Sequence, residues 1–524
     1  MRIPHLSKLP ALAVAAALAG CMAGCTTVGP DYKVPADAAV NRSEAAAPFS
    51  GAQNAAFAQN AVPGKWWRLY DDPQLDALIA KALEANTDLR VAAANMERAA
   101  AATRQAQAAT QPSFNVNAKP YFGHPSGFEE LAPGVDPPSE WFYSMGAGVS
   151  YTVDLVGQIR RAIEAADADQ ASVQAAYDAM RANVAAQTAL AYATACTAGM
   201  QVKSAQHSVD VQSESVKVNE KLQNLGRGTA LDVTRARGQL EQLRAALPPL
   251  EAKRRVALYR LATLTGETPN QFPRQLAQCA AAPALKQAIP VGDGAALLRR
   301  RPDIREAERA LAGATARIGV ATGDLYPKIT LGLSADSGYF LDQFASRGSF
   351  GYSLGPLISW TIPNTGAVQA RIAEAQASTK AAYARFDATV LNALRETESA
   401  LTIYARELDR DEALKAARDQ STEAADQARK LYQYGKTDYL TVLDAERTLA
   451  NNESALAASQ AEMVEDQIKV FLALGGGWEQ DATAKPVNGG NATGRSTGNP
   501  TGNTSNSANG AGTPAGAAAA AKPQ

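Results

Sequence analysis

Two long stretches of the chain repeat small and apolar residues with a helical period and hold almost no helix-breaking residue. Residues 158–225 contain no proline and a single glycine, Gly199, while residues 367–434 contain neither proline nor glycine. Apolar positions that recur every three to four residues predict amphipathic helices. At 1.5 Å per residue, each stretch predicts one continuous helix about 100 Å long.

Each predicted long helix ends at a glycine, after which the chain turns back into another helical run. Gly226 lies within LQNLGRGTALDVTRARG (222–238), and Gly435 lies within the related segment LYQYGKTDYLTVLDAER (431–447). Glycine enters the left-handed conformation at a helix C-cap without strain. The pattern predicts two helical hairpins with related tips. The returning helix of the first hairpin should be interrupted at Pro248, because proline lacks the backbone donor and clashes with the preceding turn.

Four shorter segments alternate polar and apolar residues with a period of two, which is typical of β-strands. The predicted strands are 113–122, 141–153, 329–335 and 349–362. Two strands therefore precede each long helix, and the chain is predicted to be mainly α-helical with a small β part.

The order of strands and helices occurs twice, which indicates an internal duplication. An offset of 209 residues places Gly366 opposite Gly157, Gly435 opposite Gly226, and Leu440 opposite Leu231 without a gap. The predicted division is a signal peptide (1–24, or 1–20), an anchor and extended tether (25–65), a first repeat (66–266), a linker (267–296), a second repeat (297–480) and a disordered tail (481–524).

The first residues have the layout of a secretory signal, with early positive charges, a short apolar run and then small residues. Cys21 follows Leu-Ala-Gly and Cys25 follows Met-Ala-Gly, so both resemble the lipidation site of bacterial lipoproteins. The leucine favours Cys21, whereas the register of the following sequence favours Cys25. We expect a lipid-modified N-terminus, with palmitate among its acyl chains, and no other cofactor.

Composition narrows the function. The net charge is −1, so nothing in the composition calls for nucleic acid as a partner, and three histidines are present. It contains no metalloprotease, nucleophile-elbow or phosphate-loop motif, so we expect no catalytic residue and no metal site. Cys196 falls in a predicted helix and Cys279 in the predicted linker. Because these regions are of different kinds, we expect the two thiols to remain unbridged.

Four strands per chain bear on the assembly. Open strand edges are not tolerated in a bilayer, and membrane barrels need at least eight strands. The interior of an eight-stranded barrel is filled by side chains. Three copies, with twelve strands, are therefore the smallest assembly expected to leave an open pore, continued on one side by a helical tube.

Several segments together resemble the TolC-type outer-membrane efflux channels, in the lipoprotein branch typified by OprM and NodT. They are VGPDYKVP, WWRLYDDPQLDALIAKALEANTDLRVA, RRRPDIREAERAL, YPKITL, YGKTDYLTVLDAERTL and FLALGGGW. The resemblance covers residues 25–480. It implies a homotrimeric twelve-stranded barrel in the outer membrane and a helical tunnel in the periplasm. It also implies docking through a periplasmic adaptor, or membrane fusion, protein onto an inner-membrane pump of the resistance-nodulation-division class.

The resemblance also implies a gate at the second hairpin. Within LTVLD, Leu440 takes the position of an apolar ring and Asp444 that of an acidic ring, while Asp232 and Tyr432 match residues of a gate-locking network. Thr437 and Thr441 depart from the TolC pattern, in which an arginine and a second aspartate can stand, so a single acidic ring is predicted.

The turn residues are predicted to contact the adaptor: Gly226, Arg227, Gly435 and Lys436. Local structure offers plainer explanations for some residues. Asp444 lies near a helix start, where the dipole favours an acid, and Leu440 could simply pack within its hairpin. Thr229 and Thr437 resemble helix N-caps. Arg227 and Lys436 could be solvated charges.

The alternatives remain open at this stage. The same architecture could serve as the outer-membrane channel of an ABC exporter in type I protein secretion. A structural envelope-spanning lipoprotein without a conduit and a lipid-anchored periplasmic hydrolase are the other classes considered. The sequence does not identify the transported compounds.

Overall fold

The two glycine-poor stretches form the longest elements of the protein. A computed structural model describes residues 27–479 apart from 125–133, 135, 137, 273, 345, 361, 363 and 364. The predicted signal peptide, Cys21, Cys25 and the C-terminal tail lie outside the described residues. The helices are α1 (Pro73–Ala85), α2 (Thr87–Ala108), α3 (Gln158–Asn224), α4 (Ala230–Ala245), α5 (Leu247–Leu264), α6 (Gly294–Arg300), α7 (Pro302–Gly323), α8 (Thr365–Gln433) and α9 (Tyr439–Ala473).

Helices α3 and α8 contain 67 and 69 residues, so the prediction of two continuous helices of about 100 Å is confirmed. The predicted interruption of the returning helix is also confirmed. It falls at Ala246, between α4 and α5, and the two prolines occupy the first turn of α5. Proline is tolerated there because the first-turn donors have no partner within the helix.

The helices lie side by side in a fixed order. Helix α3 packs against α2 and α7 in its first half and against α4, α5 and α9 further along, while α8 packs against α7 and α9. Buried aromatic and aliphatic side chains hold the helices together about halfway along, where Trp66 stacks on Phe471 with ring centroids 4.8 Å apart. No helix within the described residues is both long and apolar enough to span a bilayer.

The strands form two sheets. A four-stranded antiparallel sheet has the order β2 (Ser113–Gly123), β3 (Glu140–Val153), β5 (Lys328–Phe340) and β6 (Phe350–Ser359). Two short strands, β1 (Phe57–Ala58) and β4 (Ile289–Pro290), pair in parallel. The third strand of the large sheet extends five residues beyond the predicted 329–335. Its added residues put Asp336 and Gly338 on one face, and such residues hide the apolar alternation that marks a strand.

The two faces of the large sheet differ in chemistry. One row across the four strands is apolar, with paired residues Phe114, Val149, Leu333 and Leu354, all exposed. The adjacent row is polar or small, with paired residues Asn115, Gly148, Ser334 and Ser353. Successive side chains in a strand point to opposite faces. The sheet is therefore apolar on one face and polar on the other.

The segment predicted to be an extended tether packs against the helices. Arg161 of α3, whose side chain is 4% exposed, donates to the carbonyl oxygen of Val28 (Nε to O, 3.0 Å) and binds the Asp31 carboxylate (Nη2 to Oδ1, 2.7 Å). Gly29 has a φ of +84°, and a Cβ there would lie 2.5 Å from the Cα of Gly319. The VGPDY motif thus fits a narrow slot between α3 and α7.

The expectation of unbridged cysteines is wrong. Cys196 in α3 and Cys279 in the linker form a disulfide, with Cα atoms 4.8 Å apart. The linker lies against α3 at Gly199, where a Cβ would meet the carbonyl oxygen of Cys279 at 2.0 Å. The absence of a side chain at Gly199 lets the linker approach closely enough for the bond to form.

Candidate gate at the hairpin tips

The two hairpin tips share one backbone geometry. Gly226 and Gly435 have φ values of +68° and +67°. After each glycine, the next amide donates back to a residue in the last helical turn: Arg227 N to Leu222 O and Lys436 N to Leu431 O, both at 2.9 Å. This is the Schellman arrangement, which satisfies carbonyl groups left free at the helix end. The duplicated sequences therefore fold into duplicated turns.

The helices that follow the turns begin with different caps. Thr229 caps α4 as predicted, and Asp232 completes a capping box with it. The predicted cap at Thr437 is wrong. Asp438 caps α9 instead, and its carboxylate accepts hydrogen bonds from the amide and hydroxyl groups of Thr441 at 3.0 and 2.7 Å. The hydroxyl bond and then the amide bond hold the pKa of Asp438 below its usual range.

Leu440 and Asp444 lie one turn apart on one face of α9, as a spacing of four residues requires. Leu440 is exposed, and the Asp444 carboxylate forms an exposed ion pair with Arg447 at 2.6 Å. Together with Asp438 they border an open groove between α8 and α9, whose α8 wall is made of small and amide side chains. Asp438 was missed in the sequence because its position was assigned to the turn.

Tyr432 and Asp232 lie at the contact between the two hairpins. The hydroxyl of Tyr432 donates to the Asn219 side-chain oxygen of α3 at 3.0 Å. Burial, followed by the nearby Asp232 carboxylate, raises the pKa of Tyr432. The structure thus brings Tyr432 near Asp232, with the hydrogen bond made to Asn219.

A buried polar layer next to Tyr432 had no sequence signal. The rings of Tyr432 and Tyr439 have centroids 5.7 Å apart. The Tyr439 hydroxyl lies 3.3 Å from the Ser215 hydroxyl and within reach of the Gln212 amide, and burial raises the Tyr439 pKa. These groups tie the second hairpin to α3 of the first.

Exposed apolar side chains flank both turn glycines. Leu225 precedes Gly226 and is 62% exposed, and Tyr434 precedes Gly435 and is 78% exposed. A basic residue follows each glycine and is exposed as well. Each tip therefore presents an apolar group beside a cation at the end of the helical region.

Comparison with known proteins agrees with this geometry. The sequence model of the family described as "Outer membrane efflux protein" matches residues 78–267 and 295–476, one segment in each repeat. The chain belongs to this family. Within it, the chain is 28% identical to nodulation protein T of Rhizobium leguminosarum bv. viciae over 92% of this chain and 96% of that protein.

Two further similarities concern an efflux system protein and an outer-membrane channel. The chain is 29% identical to the cation efflux system protein CusC of Escherichia coli O157:H7, over 90% of this chain and 99% of CusC. The solved outer-membrane channel OprN superposes with a TM-score of 0.79 and 34% identity, over 86% of this chain and 99% of that chain. The prediction that the chain is an outer-membrane efflux protein is confirmed, and so is the prediction of a mainly helical fold.

Proposed function

We propose that three copies of this chain form the outer-membrane exit duct of a tripartite efflux system. The duct passively conducts small toxic compounds from an inner-membrane pump to the exterior. The sheet carries the proposal, because one face is apolar, the other is polar, and the sheet continues into helices of about 100 Å. A strand arrangement of this kind suits a barrel with lipid outside and water inside.

The sheet also bears on the number of copies. Strands β2 and β6 form its two edges, and unpaired backbone groups are strongly disfavoured in a bilayer. Pairing β2 of one copy with β6 of the next removes both edges. A homotrimer closes a twelve-stranded barrel in this way, and its polar rows line the lumen.

A covalent lipid on Cys25 or Cys21 anchors the N-terminus in the outer membrane, with the helical tunnel in the periplasm. The slot that holds Val28 and Asp31 on Arg161 supports this, since it fixes the chain just after the candidate cysteines. No other cofactor is required, because conduction through the duct involves no chemistry.

The hairpin tips meet the partners. Around Gly226 with Arg227 and Gly435 with Lys436, each tip offers an apolar side chain and a cation to a periplasmic adaptor protein. The adaptor links the duct to an inner-membrane pump of the resistance-nodulation-division class. The naming of relatives as a cation efflux system protein and as a solvent efflux pump outer membrane protein supports this assignment.

Leu440 and Asp444 close the duct at its periplasmic end, and the contact of Tyr432 near Asp232 holds the second hairpin in the closed position. Three copies of the exposed Leu440 would form an apolar ring, and three copies of Asp444 an acidic ring one turn away. Carboxylates that converge on an axis favour cations. The exposed positions of both side chains along one groove support these roles.

Planar-bilayer recording of the purified full-length protein tests the duct and its gate. We expect small, rare openings for the wild type and larger, frequent openings for Leu440→Ala combined with Asp444→Ala. Leu472→Ala, at an exposed leucine near the other end of α9, is the matched control and should behave as the wild type. Wild type and double variant that both fail to conduct would overturn the proposal.

Crosslinking at the tips tests the partners. A photoreactive residue at Lys436 in living cells should capture an adaptor and, through it, a resistance-nodulation-division pump. Recovery of an ABC exporter alone would instead assign the channel to protein secretion.

A further inference from the structure

A single copy has two different open sides in its helical half. Helices α4 and α5 pack on α3 at one side, and α8 packs on α9 at the other. The sheet follows the same arrangement, because α2 leads into edge strand β2 and edge strand β6 leads into α8. Two unlike sides that meet between copies make a heterologous interface, which closes into a ring when the rotation between copies is a whole fraction of a turn.

The open side of α8 carries a row of carboxylates. Buried residues at heptad spacing, including Tyr404, Asp411, Ala425 and Ala428, form its seam with α9. The opposite face has the same spacing, and its six successive exposed positions hold five acidic residues and one alanine. They are Asp409, Glu412, Ala416, Asp419, Glu423 and Asp426.

Three of these carboxylates already have basic neighbours in their own helix. Asp409 binds Arg406, Asp419 binds Arg418, and both carboxylates are exposed. Asp426 likewise binds a side chain one turn away. Exposed pairs of this kind contribute little to the stability of a structure. The carboxylates on the open side of α8 can therefore also bind cations of a neighbouring helix.

The opposite side of the copy has the complementary charge. Helices α4 and α5 together contain seven basic and three acidic residues. The face turned away from α3 carries small residues such as Gly238, Ala245 and Ala252, all exposed. Arg244 and Lys253 flank this face and are exposed as well. A neighbouring helix can approach the small residues closely while its acidic side chains reach the flanking cations.

The cations and carboxylates lie at matching heights above the tips. Ser208, 18 residues before Gly226, contacts Glu453, 18 residues after Gly435, at 3.1 Å, so the two tips are level. At 1.5 Å per residue, Arg244 lies about 27 Å above its tip and Asp419 about 24 Å above its own. The same reckoning gives about 40 Å for Lys253 and about 39 Å for Asp409. Rotation about an axis along the tunnel preserves these heights.

We propose that the partner of the acidic face of α8 is the α4–α5 face of a second copy of this chain. Arg244 lies opposite Asp419 and Lys253 opposite Asp409 in the neighbouring copy. The seam between the two copies is held by ion pairs beside a row of small residues, rather than by a large apolar surface. The proposal rests on the three-copy duct described above and adds which sides meet and in which register.

Site-specific crosslinking of the full-length protein tests the register. In Arg244→Cys combined with Asp419→Cys, every copy carries both partners of one proposed pair, so a short bismaleimide should link the subunits into a covalent trimer. Lys253→Cys combined with Asp426→Cys is the matched control, because the two positions differ in height by about 27 Å. The control should give no covalent trimer.

Charge reversal tests the chemistry of the seam. Asp419→Lys with Asp409→Lys should lower the temperature at which the trimer dissociates, and so should Arg244→Glu with Lys253→Glu. All four substitutions together should restore it, which a merely local defect would not allow. Raising the salt concentration should lower the dissociation temperature of the wild type.

The outcomes separate this proposal from the duct itself. A trimer that conducts but is crosslinked by neither cysteine pair, or equally by both, overturns the seam and leaves the duct intact. Failure of the four-fold variant to regain stability overturns the charge pairing. A wild type that is monomeric in mild detergent overturns the duct, and the seam with it.

Discussion

Breaking the disulfide between Cys196 and Cys279 should measurably destabilise the helical region. The bond joins residues 83 positions apart, and the loop contains the tip of the first hairpin together with α4 and α5. Closing a loop of that length removes unfolded-chain entropy equivalent to about 4.5 kcal/mol at 25 °C. With an unfolding entropy of about 2.1 cal/mol/K per residue over some 450 residues, the melting temperature should fall by about 5 °C.

Thermal unfolding followed by far-ultraviolet circular dichroism is the appropriate assay. The full-length protein should be compared in oxidised form, after reduction, and as the variant Cys196→Ala with Cys279→Ala. The reduced wild type is the matched control, since it keeps both sulfur atoms and lacks only the bond. Peptide mapping under non-reducing conditions establishes that the bond is present in the oxidised sample.

The reasoning would be refuted if the oxidised, reduced and variant proteins melted within about 1 °C of one another, well below the shift expected from loop closure. The linker would then be held against α3 by its other contacts alone. A lower melting temperature for the variant but not for the reduced protein would assign the effect to lost packing around Cys196, which is fully buried.

Three further predictions concern the strap formed by Val28 to Asp31, which Arg161 holds, and the hairpin tips. Arg161→Ala should free the segment after residue 26, so that limited proteolysis cuts there faster, while Arg161→Lys should protect it partly because it retains one charge. Asp438→Ala should speed hydrogen exchange in the first turn of α9, whereas Thr437→Ala should not. The stabilisation that the Asp438 cap gives should also be lost as the pH falls through the lowered pKa of Asp438, because a protonated carboxyl is a weaker acceptor. Asn219→Ala should weaken the contact between the hairpins by about 0.5–1.5 kcal/mol, seen as more frequent channel openings, and Tyr432→Phe should match it if their hydrogen bond is the cause.

The sequence predicts the parts of the fold that depend on local pattern. Helices α3 and α8 follow from uninterrupted helical periodicity, and the tip turns follow from Gly226 and Gly435, whose conformation glycine favours. The predicted N-cap of α9 is one residue too early, because Thr437 and Asp438 are adjacent and both suit an N-cap.

Local sequence patterns do not predict the contacts between distant segments. The bond from Cys196 to Cys279 depends on the linker folding back at Gly199, and no local pattern encodes that return. The same holds at the candidate gate. Leu440 and Asp444 could be placed on one helical face by their spacing, but the buried contact of Gln212 with Tyr439 requires knowing which helices are neighbours.

The strap formed by Val28 to Asp31 has a consequence for the anchor. The amide of Val28 donates to the carbonyl oxygen of Val156 at 3.0 Å, just where β3 gives way to α3. An extended chain spans at most about 3.5 Å per residue, so a lipid on Cys25 must enter the membrane within about 10 Å of that junction. A lipid on Cys21 could range over about 25 Å. The choice of cysteine thus sets the length of the linker between the membrane and the channel wall.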